Sequence, residues 1–178
     1  MLDYQQGHKT SAGVLFERYH GEIYAYLLRT MHSADRAADA TSNVFARMLK
    51  YSASFKQDAR FKPWLYSIAV NVRNTSWKSH QRTDQHESFE DELSDEHAEG
   101  QNTPELSLQN QKQRNALRAA VESLESELKE LVTLYLYQEL TIVELSELYD
   151  VTTNAMRVRI HRALNQVKTM IKQSGMEL

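Results

Sequence analysis

The sequence predicts an all-α protein of two small helical domains joined by a flexible acidic linker, the second domain being a helix-turn-helix. Apolar residues recur at three- and four-residue spacing through most of the chain. Only 5 glycines and 2 prolines occur in 178 residues, few for an all-β chain or for an enzyme with glycine-rich loops. One acidic stretch interrupts the helical pattern. We therefore expect domains at residues 1–82 and 104–178, with the linker at 83–103.

The first domain contains three amphipathic segments. The first helix runs from about Ser11 to Thr30. Ser33 is a good N-cap for the second helix, whose apolar stripe ends at Leu49. Pro63 suits the first turn of the third, because its missing N–H would have no partner there. We expect the first helix to bury one apolar stripe, made of Leu15, Phe16, Tyr19, Ile23, Tyr26 and Leu27.

Helical signals resume after the acidic stretch. Thr103 and Pro104 fit the N-cap and first position of a helix. A leucine-rich helix follows, and then a short helix that opens with a capping box formed by Thr141 and Glu144. The last helix starts near Thr153 and continues to about residue 172.

The net charge of −3 hides a strong segregation of charge. Residues 1–82 carry a net charge of +6, residues 83–112 carry −8, and residues 113–178 carry −1. Residues 153–172 contain 5 basic residues and no acidic one. Two basic surfaces on either side of an acidic connector indicate a polyanionic partner that is contacted at two places.

Several function classes find no support in the sequence. The absence of cysteine excludes disulfides, thiolate metal sites and thiol nucleophiles. No apolar run reaches the length of a membrane span and the N-terminus lacks a signal-peptide core, so we expect a cytoplasmic protein without membrane insertion. With no phosphate loop, paired histidine ligands or nucleophile elbow, we expect neither an enzyme nor a cofactor. His86 and His97 lie among linker carboxylates, where solvated side chains are a better interpretation than a metal site.

Residues 141–164 have the form of a helix-turn-helix, with a short helix, a brief turn and a longer helix. Sorting the last helix by 100° steps places Met156 and Ile160 on the core side. Arginine and asparagine are the residues that read guanine and adenine or bind phosphates. The alternative is a basic helix that merely solvates one face. The outward arc consists of Asn154, Val158, His161, Arg162 and Asn165, with Arg157 and Arg159 at its edges.

Two blocks resemble sigma factors of bacterial RNA polymerase. Residues 154–163, NAMRVRIHRA, are similar to the string GTVKSRLHRA in the family's fourth conserved region. Residues 64–71, WLYSIAVN, resemble WLxxIAxN of the second region, and residues 15–19, LFERY, resemble its opening helix. Asp39 and the pair Val44-Phe45 fit the helix between them. Because no third region intervenes, the resemblance over residues 14–82 and 113–172 is to the extracytoplasmic-function group.

The resemblance implies two contacts with promoter DNA. The last helix would bind the minus-thirty-five element through Asn154, Arg157, Val158, Arg159, His161 and Arg162. The loop at residues 55–62 and the helix after it would open the minus-ten element and hold its non-template strand, since melted bases present amide-binding edges and stacking faces. The residues for this task would be Lys62, Asn71, Arg73, Asn74, Lys78 and Arg82.

The resemblance also implies protein partners. The second helix would dock on the clamp helices of the largest subunit of core RNA polymerase. Many members of the family are held by an anti-sigma factor, which makes such a factor a further candidate partner. The polymerase-facing residues would be Asp35, Asp39, Ser42, Asn43 and Arg47. Asp35 and Asp39 also have the spacing of a metal pair, but docking is the better interpretation.

Departures from the family pattern leave alternatives open. Ala38 and the pair Ser42-Asn43 replace the usual Glu and Gln-Glu of the polymerase-facing helix, and Val158 replaces the serine of the last helix. One alternative is a helix-turn-helix regulator that binds duplex DNA without polymerase. Another is a sigma-like remnant held by an anti-sigma partner. Trp64 has two readings, as filler of the core or as a stacking platform for a base, and the first is favoured.

Overall fold

The computed structural model describes residues 1–80 and 104–173, with the side chains of all of these except 77–80, 104–110 and 112. This part of the chain contains no β-strand, which confirms the all-α fold class. The proposed linker and Arg82 lie outside it. The helices are α1 (Leu2–Gln5), α2 (Thr10–Met31), α3 (Ala34–Lys50), α4 (Phe61–His80), α5 (Pro104–Glu122), α6 (Ser126–Leu136), α7 (Ile142–Leu148) and α8 (Thr153–Gln173), with a 3-10 turn at Ser52–Ser54.

A tight connection turns the chain between α2 and α3. His32 adopts a left-handed conformation, with φ at 52°, and its N–H donates to the Leu28 carbonyl. Ser33 is the N-cap of α3, as predicted, and its Oγ accepts from the Arg36 N–H at 3.4 Å. The Arg36 guanidinium donates to the Met31 carbonyl at 2.7 Å and so satisfies one end of α2.

The third predicted helix begins slightly earlier than its proline suggested. Since α4 starts at Phe61, Lys62 belongs to the helix rather than to the preceding loop. Pro63 still lies in the first turn and is buried. The half-buried Trp64 packs edge-on against Phe55, with 5.1 Å between ring centroids, which supports its reading as core filler.

Two residues assigned to buried stripes are exposed. Phe16 is 42% exposed and Leu49 is 37% exposed, so the prediction was wrong for both. In α2 the buried residues begin at Ile23, so Phe16 lies on turns that no helix covers completely. Phe16 instead packs at the helix edge against Phe45, with 4.8 Å between ring centroids. Helical periodicity identifies a face, but the length of that face which is covered depends on the neighbouring helices.

One apolar core runs through both parts of the chain. We call α1–α4 the N-terminal half and α5–α8 the C-terminal half. The core joins residues of the N-terminal half such as Tyr26 and Leu65 to Leu134, Leu145 and Met156 of the C-terminal half. A second cluster lies within the C-terminal half and ties α5 and α6 to α8 through Ala120, Val121, Leu124, Val132, Ala163, Val167 and Ile171. The two halves are therefore packed together.

Candidate nucleic-acid interface

The short helix α7 is fixed at its start by the predicted capping box. Thr141 Oγ1 accepts from the Glu144 backbone N–H at 3.2 Å, and Glu144 Oε2 accepts from the Thr141 backbone N–H at 2.8 Å. Asp150 then turns the chain in a left-handed conformation, with φ at 50°. Thr152 Oγ1 accepts from the Ala155 N–H at 3.2 Å and so caps α8. These local bonds set the angle at which α8 leaves the turn.

Helix α8 separates its two faces as the sequence predicts. Met156, Ile160 and Ala163 are buried on the core side. Val158 on the other side is 42% exposed, and the Asn165 side-chain amide contacts the His161 ring at 3.3 Å. The residues assigned to the minus-thirty-five element share this exposed face, namely Asn154, Arg157, Val158, Arg159, His161 and Arg162. This face carries cations and amides, which are groups that proteins use to contact DNA.

The residues assigned to the minus-ten element are not all brought together. Asn71 and Asn74 are exposed on α4. Lys62 lies 3.4 Å from the Glu22 carboxylate on α2. Arg73 turns toward the C-terminal half, and one of its guanidinium nitrogens lies 3.1 Å from Glu130 Oε2 of α6. The same nitrogen lies 3.2 Å from Asn74 Oδ1 on α4 itself. The Lys78 side chain and all of Arg82 lie outside the described residues.

Helix α3 presents its proposed docking residues on one outward face. Asp35, Asp39, Ser42 and Asn43 are exposed. Arg47 is half-buried, and its Nε donates to Asn43 Oδ1 at 3.0 Å. Aliphatic and aromatic residues of the opposite face, such as those around position 44, are buried against α2 and α4. The face can therefore meet a partner without disturbing the core.

Sequence reasoning missed the polar contacts between the two halves. Glu130 of α6 is 6% exposed and accepts from the Tyr26 hydroxyl at 2.6 Å and from Arg73. The Tyr66 hydroxyl donates to Gln138 Oε1 at 2.8 Å. These partners lie 57 to 104 residues apart in the chain. No local pattern pairs residues at such separations, so nothing in the sequence marked these contacts.

Helix α1 was also missed. The Gln5 side-chain amide donates to the carbonyl oxygens of Ser52 at 2.6 Å and Phe55 at 2.9 Å. It thereby holds the start of the loop that the sequence assigned to minus-ten recognition. A 4-residue helix is too short to show amphipathic periodicity, so only a contact map could reveal this bracing.

Three buried or partly buried tyrosines have hydroxyl groups whose pKa is strongly raised. Burial raises the pKa of Tyr26, Tyr66 and Tyr149 well above their ordinary value of 10, because the charged phenolate is poorly solvated there. The Glu130 carboxylate raises the pKa of Tyr26 and of Tyr149 further. All three tyrosines are therefore neutral at physiological pH and act as hydrogen-bonding or packing groups.

Two other kinds of feature are missing from the described residues, 1–80 and 104–173. Within them, no group of three or more His, Cys, Asp or Glu side chains has an arrangement that would hold a metal ion. Asp35 and Asp39 form no such group there, while His86 and His97 lie beyond these residues. None of the helices in these ranges combines the length and the hydrophobicity that a membrane span requires.

Comparison with known families identifies both parts of the chain. Residues 15–83 match the model of sigma-70 region 2, and residues 114–167 match a model of sigma-70 region 4. The chain is 28% identical over 173 residues to the RNA polymerase sigma factor YlaC of Bacillus subtilis, covering 96% of this chain and 97% of the relative. It is 25% identical to the ECF RNA polymerase sigma-E factor of Haemophilus influenzae, covering 94% and 91%.

Two solved structures have a similar fold over nearly the whole chain. The sigma factor RpoE, solved with the anti-sigma factor NepR from Bartonella quintana, superposes with a TM-score of 0.65 at 15% identity, over 97% of this chain and 98% of that one. CnrH, solved with the cytosolic domain of CnrY, also gives a TM-score of 0.65, at 16% identity, over 94% of this chain and 92% of that one. At these identities the likeness concerns the fold alone.

A region-2 helical unit followed by a region-4 helix-turn-helix defines a sigma factor, a transcription initiation factor that brings core RNA polymerase to promoter DNA. The chain belongs to the sigma-70 family and, within it, to the extracytoplasmic-function type. This assignment decides against the stand-alone helix-turn-helix regulator, since such a protein has no need of a region that docks on polymerase and opens DNA.

Proposed function

We propose a division of labour along the chain. Residues 1–82 bind core polymerase and the minus-ten element, residues 104–178 bind the minus-thirty-five element, and residues 83–103 connect them. The observation that carries this proposal is α8, where an uninterrupted apolar face seats the helix and the opposite face exposes cations and amides. The charge segregation of the sequence supports it, because residues 1–82 and the segment 153–172 of the last helix are basic and the connector is acidic.

Helix α8 reads the upstream element in this proposal. Arg157 and Arg162 can each pair with a guanine edge or a phosphate, and Asn154 can pair with adenine. Val158, exposed among polar neighbours, can contact a thymine methyl group. His161 and Arg159 complete the same face. Each of these roles requires an exposed side chain, and all of these side chains are exposed.

Helix α4 holds the melted minus-ten strand in this proposal. Asn71 and Asn74 are exposed and one turn apart, so that their amides can bind the edges of unpaired bases. Lys62, Arg73, Lys78 and Arg82 supply positive charge for the backbone. Gln5 supports this function indirectly, by fixing the carbonyls at the start of the adjacent loop.

Helix α3 supplies the surface for core polymerase. Asp35, Asp39, Ser42, Asn43 and Arg47 would contact the clamp helices of the largest subunit. The protein itself performs no catalytic step and uses no cofactor, and it works in the cytoplasm, where core polymerase is found. An anti-sigma factor is a further partner in this proposal, since RpoE was solved with the anti-sigma factor NepR and CnrH with the cytosolic domain of CnrY.

The test of the minus-ten assignment is promoter melting. Asn71→Ala and Asn74→Ala should reduce permanganate reactivity of unpaired thymines near the start site, while leaving co-elution with core polymerase unchanged. Asn115→Ala, which removes an exposed amide from α5, is the matched control. Normal melting by both α4 variants would overturn the assignment of this face.

A further inference from the structure

The carboxylate of Glu130 joins three helices across the contact between the two halves. Its Oε1 accepts from the Tyr26 hydroxyl of α2 at 2.6 Å, and its Oε2 accepts from Arg73 of α4 at 3.1 Å. Glu130 is only 6% exposed, so water contributes little to its solvation. A buried carboxylate needs such partners, because an unpaired buried charge is strongly unfavourable.

The same contact covers Arg73, one of the residues assigned to the minus-ten element. The Arg73 side chain is only 11% exposed, whereas Asn71 and Asn74 on either side of it are exposed. A carboxylate thus already neutralises the charge of Arg73. A nucleic-acid phosphate is the other anionic group that an arginine pairs with readily.

Two features of the contact around Glu130 lower the cost of separating the two halves. Arg73 Nε and the Tyr149 hydroxyl are buried there and have no hydrogen-bond partner among the described residues. Each loses hydration in the closed form and regains it when the halves separate. The desolvation of a buried ion pair largely offsets its Coulomb attraction. The polar part of this interface therefore gives specificity to the closed form without fixing it permanently.

Three other contacts also join the N-terminal and C-terminal halves. The Tyr66 hydroxyl donates to Gln138, and the Arg29 guanidinium lies 4.5 Å from the centre of the Tyr137 ring. At the rim, the His32 ring lies 3.5 Å from the Glu122 carboxylate. Among these contacts, that of Glu130 is the one that takes up a residue assigned to DNA.

We propose that Arg73 is a shared anion site, bound by Glu130 in the free, closed chain and by the DNA backbone once the halves separate. Glu130 is then an autoinhibitory residue that competes with promoter DNA. The proposal rests on the proposed role of α4 in minus-ten binding. It assigns a regulatory function to α6, a helix that carries none of the residues assigned to DNA or polymerase.

The first measurement is the distance between the halves in the full chain without polymerase. The sequence has no cysteine, so Glu17→Cys and Gln166→Cys, both at exposed positions, allow a fluorescent pair to be placed on α2 and α8. Glu130→Gln removes the charge and keeps the shape of the side chain. It should lower the energy-transfer efficiency, whereas Glu127→Gln, an exposed position on the same helix, should leave it unchanged.

The second measurement is binding of a short fluorescein-labelled single-stranded DNA of mixed sequence to the same chains. Glu130→Gln should bind at least about threefold more tightly than Glu127→Gln, because the competent open form is more populated. Both variants lose one negative charge, so general electrostatics cancel. If Glu130→Gln left the distance unchanged, Glu130 would not hold the two halves together. If it lengthened the distance without changing the DNA affinity, Glu130 would not compete with DNA for Arg73.

Circular dichroism of each variant shows whether it remains folded. If Glu130→Gln loses helicity, Tyr26→Phe decides, since it removes only one hydrogen bond from Glu130. It should shift distance and affinity in the same direction by a smaller factor, and no shift in either would overturn the proposal. Neither measurement contains polymerase, so run-off transcription by the wild-type chain tests the proposed function separately.

Discussion

The Tyr66 hydroxyl in α4 donates a hydrogen bond to Gln138 Oε1, 2.8 Å away, and both residues are buried. Tyr66 belongs to the region-2 match and Gln138 to the region-4 match. The bond is thus a direct link between the region-2 part and the region-4 part of the chain. Loss of this hydrogen bond should weaken the packing of the two halves and lower the global stability of the chain.

Tyr66→Phe should lower the free energy of unfolding by about 1–3 kcal/mol, because the side-chain oxygen of Gln138 would stay buried without its donor. Urea unfolding followed by circular dichroism measures the change. Tyr51→Phe is the control, since Tyr51 is 48% exposed. Equal stability of the two variants would show that the bond adds nothing to the folded chain.

The buried tyrosines predict a loss of stability at alkaline pH. Burial raises the pKa of Tyr26, Tyr66 and Tyr149 in the folded chain, so the unfolded chain releases these protons first as pH rises above 10. Stability should be unaffected by these groups below that pH. Above it, the free energy of unfolding should fall by up to about 1.4 kcal/mol per pH unit for each such tyrosine.

Tyr149→Phe separates this effect from the others. The Tyr149 hydroxyl is buried with no partner among the described residues, so its removal should leave stability at pH 7 unchanged or slightly higher. The same variant should show a shallower decline above pH 10. Denaturant unfolding at neutral and alkaline pH measures both, and a clear loss at pH 7 would mean that the hydroxyl has a stabilising partner.

Thr141→Ala should destabilise α7 by about 1 kcal/mol, because it removes the oxygen that accepts from the Glu144 N–H. Thr141→Ser keeps that oxygen and should restore stability. Hydrogen exchange of the α7 amides detects the local effect. Equal protection in the alanine and serine variants would show that the capping box does not hold the helix-turn-helix.

Arg162→Ala should weaken use of the upstream promoter element by about 1–3 kcal/mol if Arg162 makes a bidentate base contact. Lys168→Ala removes an exposed cation of the same helix and serves as the charge-matched control. The readout is open-complex formation on promoters with intact and altered minus-thirty-five elements. Wild-type discrimination by Arg162→Ala would refute the assignment of this face.

Local physics explains what the sequence could predict. Ser33 and Thr141 could be recognised as helix N-caps, because capping depends only on one side chain and the turn that follows it. Met156 and Val158 could be assigned to opposite faces of α8 because helical spacing alone separates them. Both predictions use information carried within one or two turns, and the structure confirms both.

What could not be predicted depends on contacts between distant segments. Phe16 has helical spacing with the core residues, yet the coverage of its turn depends on neighbouring helices. Arg73 looked like a free cation on a DNA-facing helix, while its partner Glu130 lies 57 residues away. A charge pattern can indicate a polyanion-binding helix, but it cannot say which carboxylate of the same chain pairs with one of the cations of that helix.

Run-off transcription shows whether the chain directs initiation by core RNA polymerase. Core RNA polymerase, with and without the wild-type chain, is given genomic promoter fragments that include the one upstream of the chain's own gene. From the assignment as a sigma factor, we expect transcripts with defined start sites only when the protein is present. Absence of such transcripts and of co-elution with core, from protein whose helical content is intact, would contradict it.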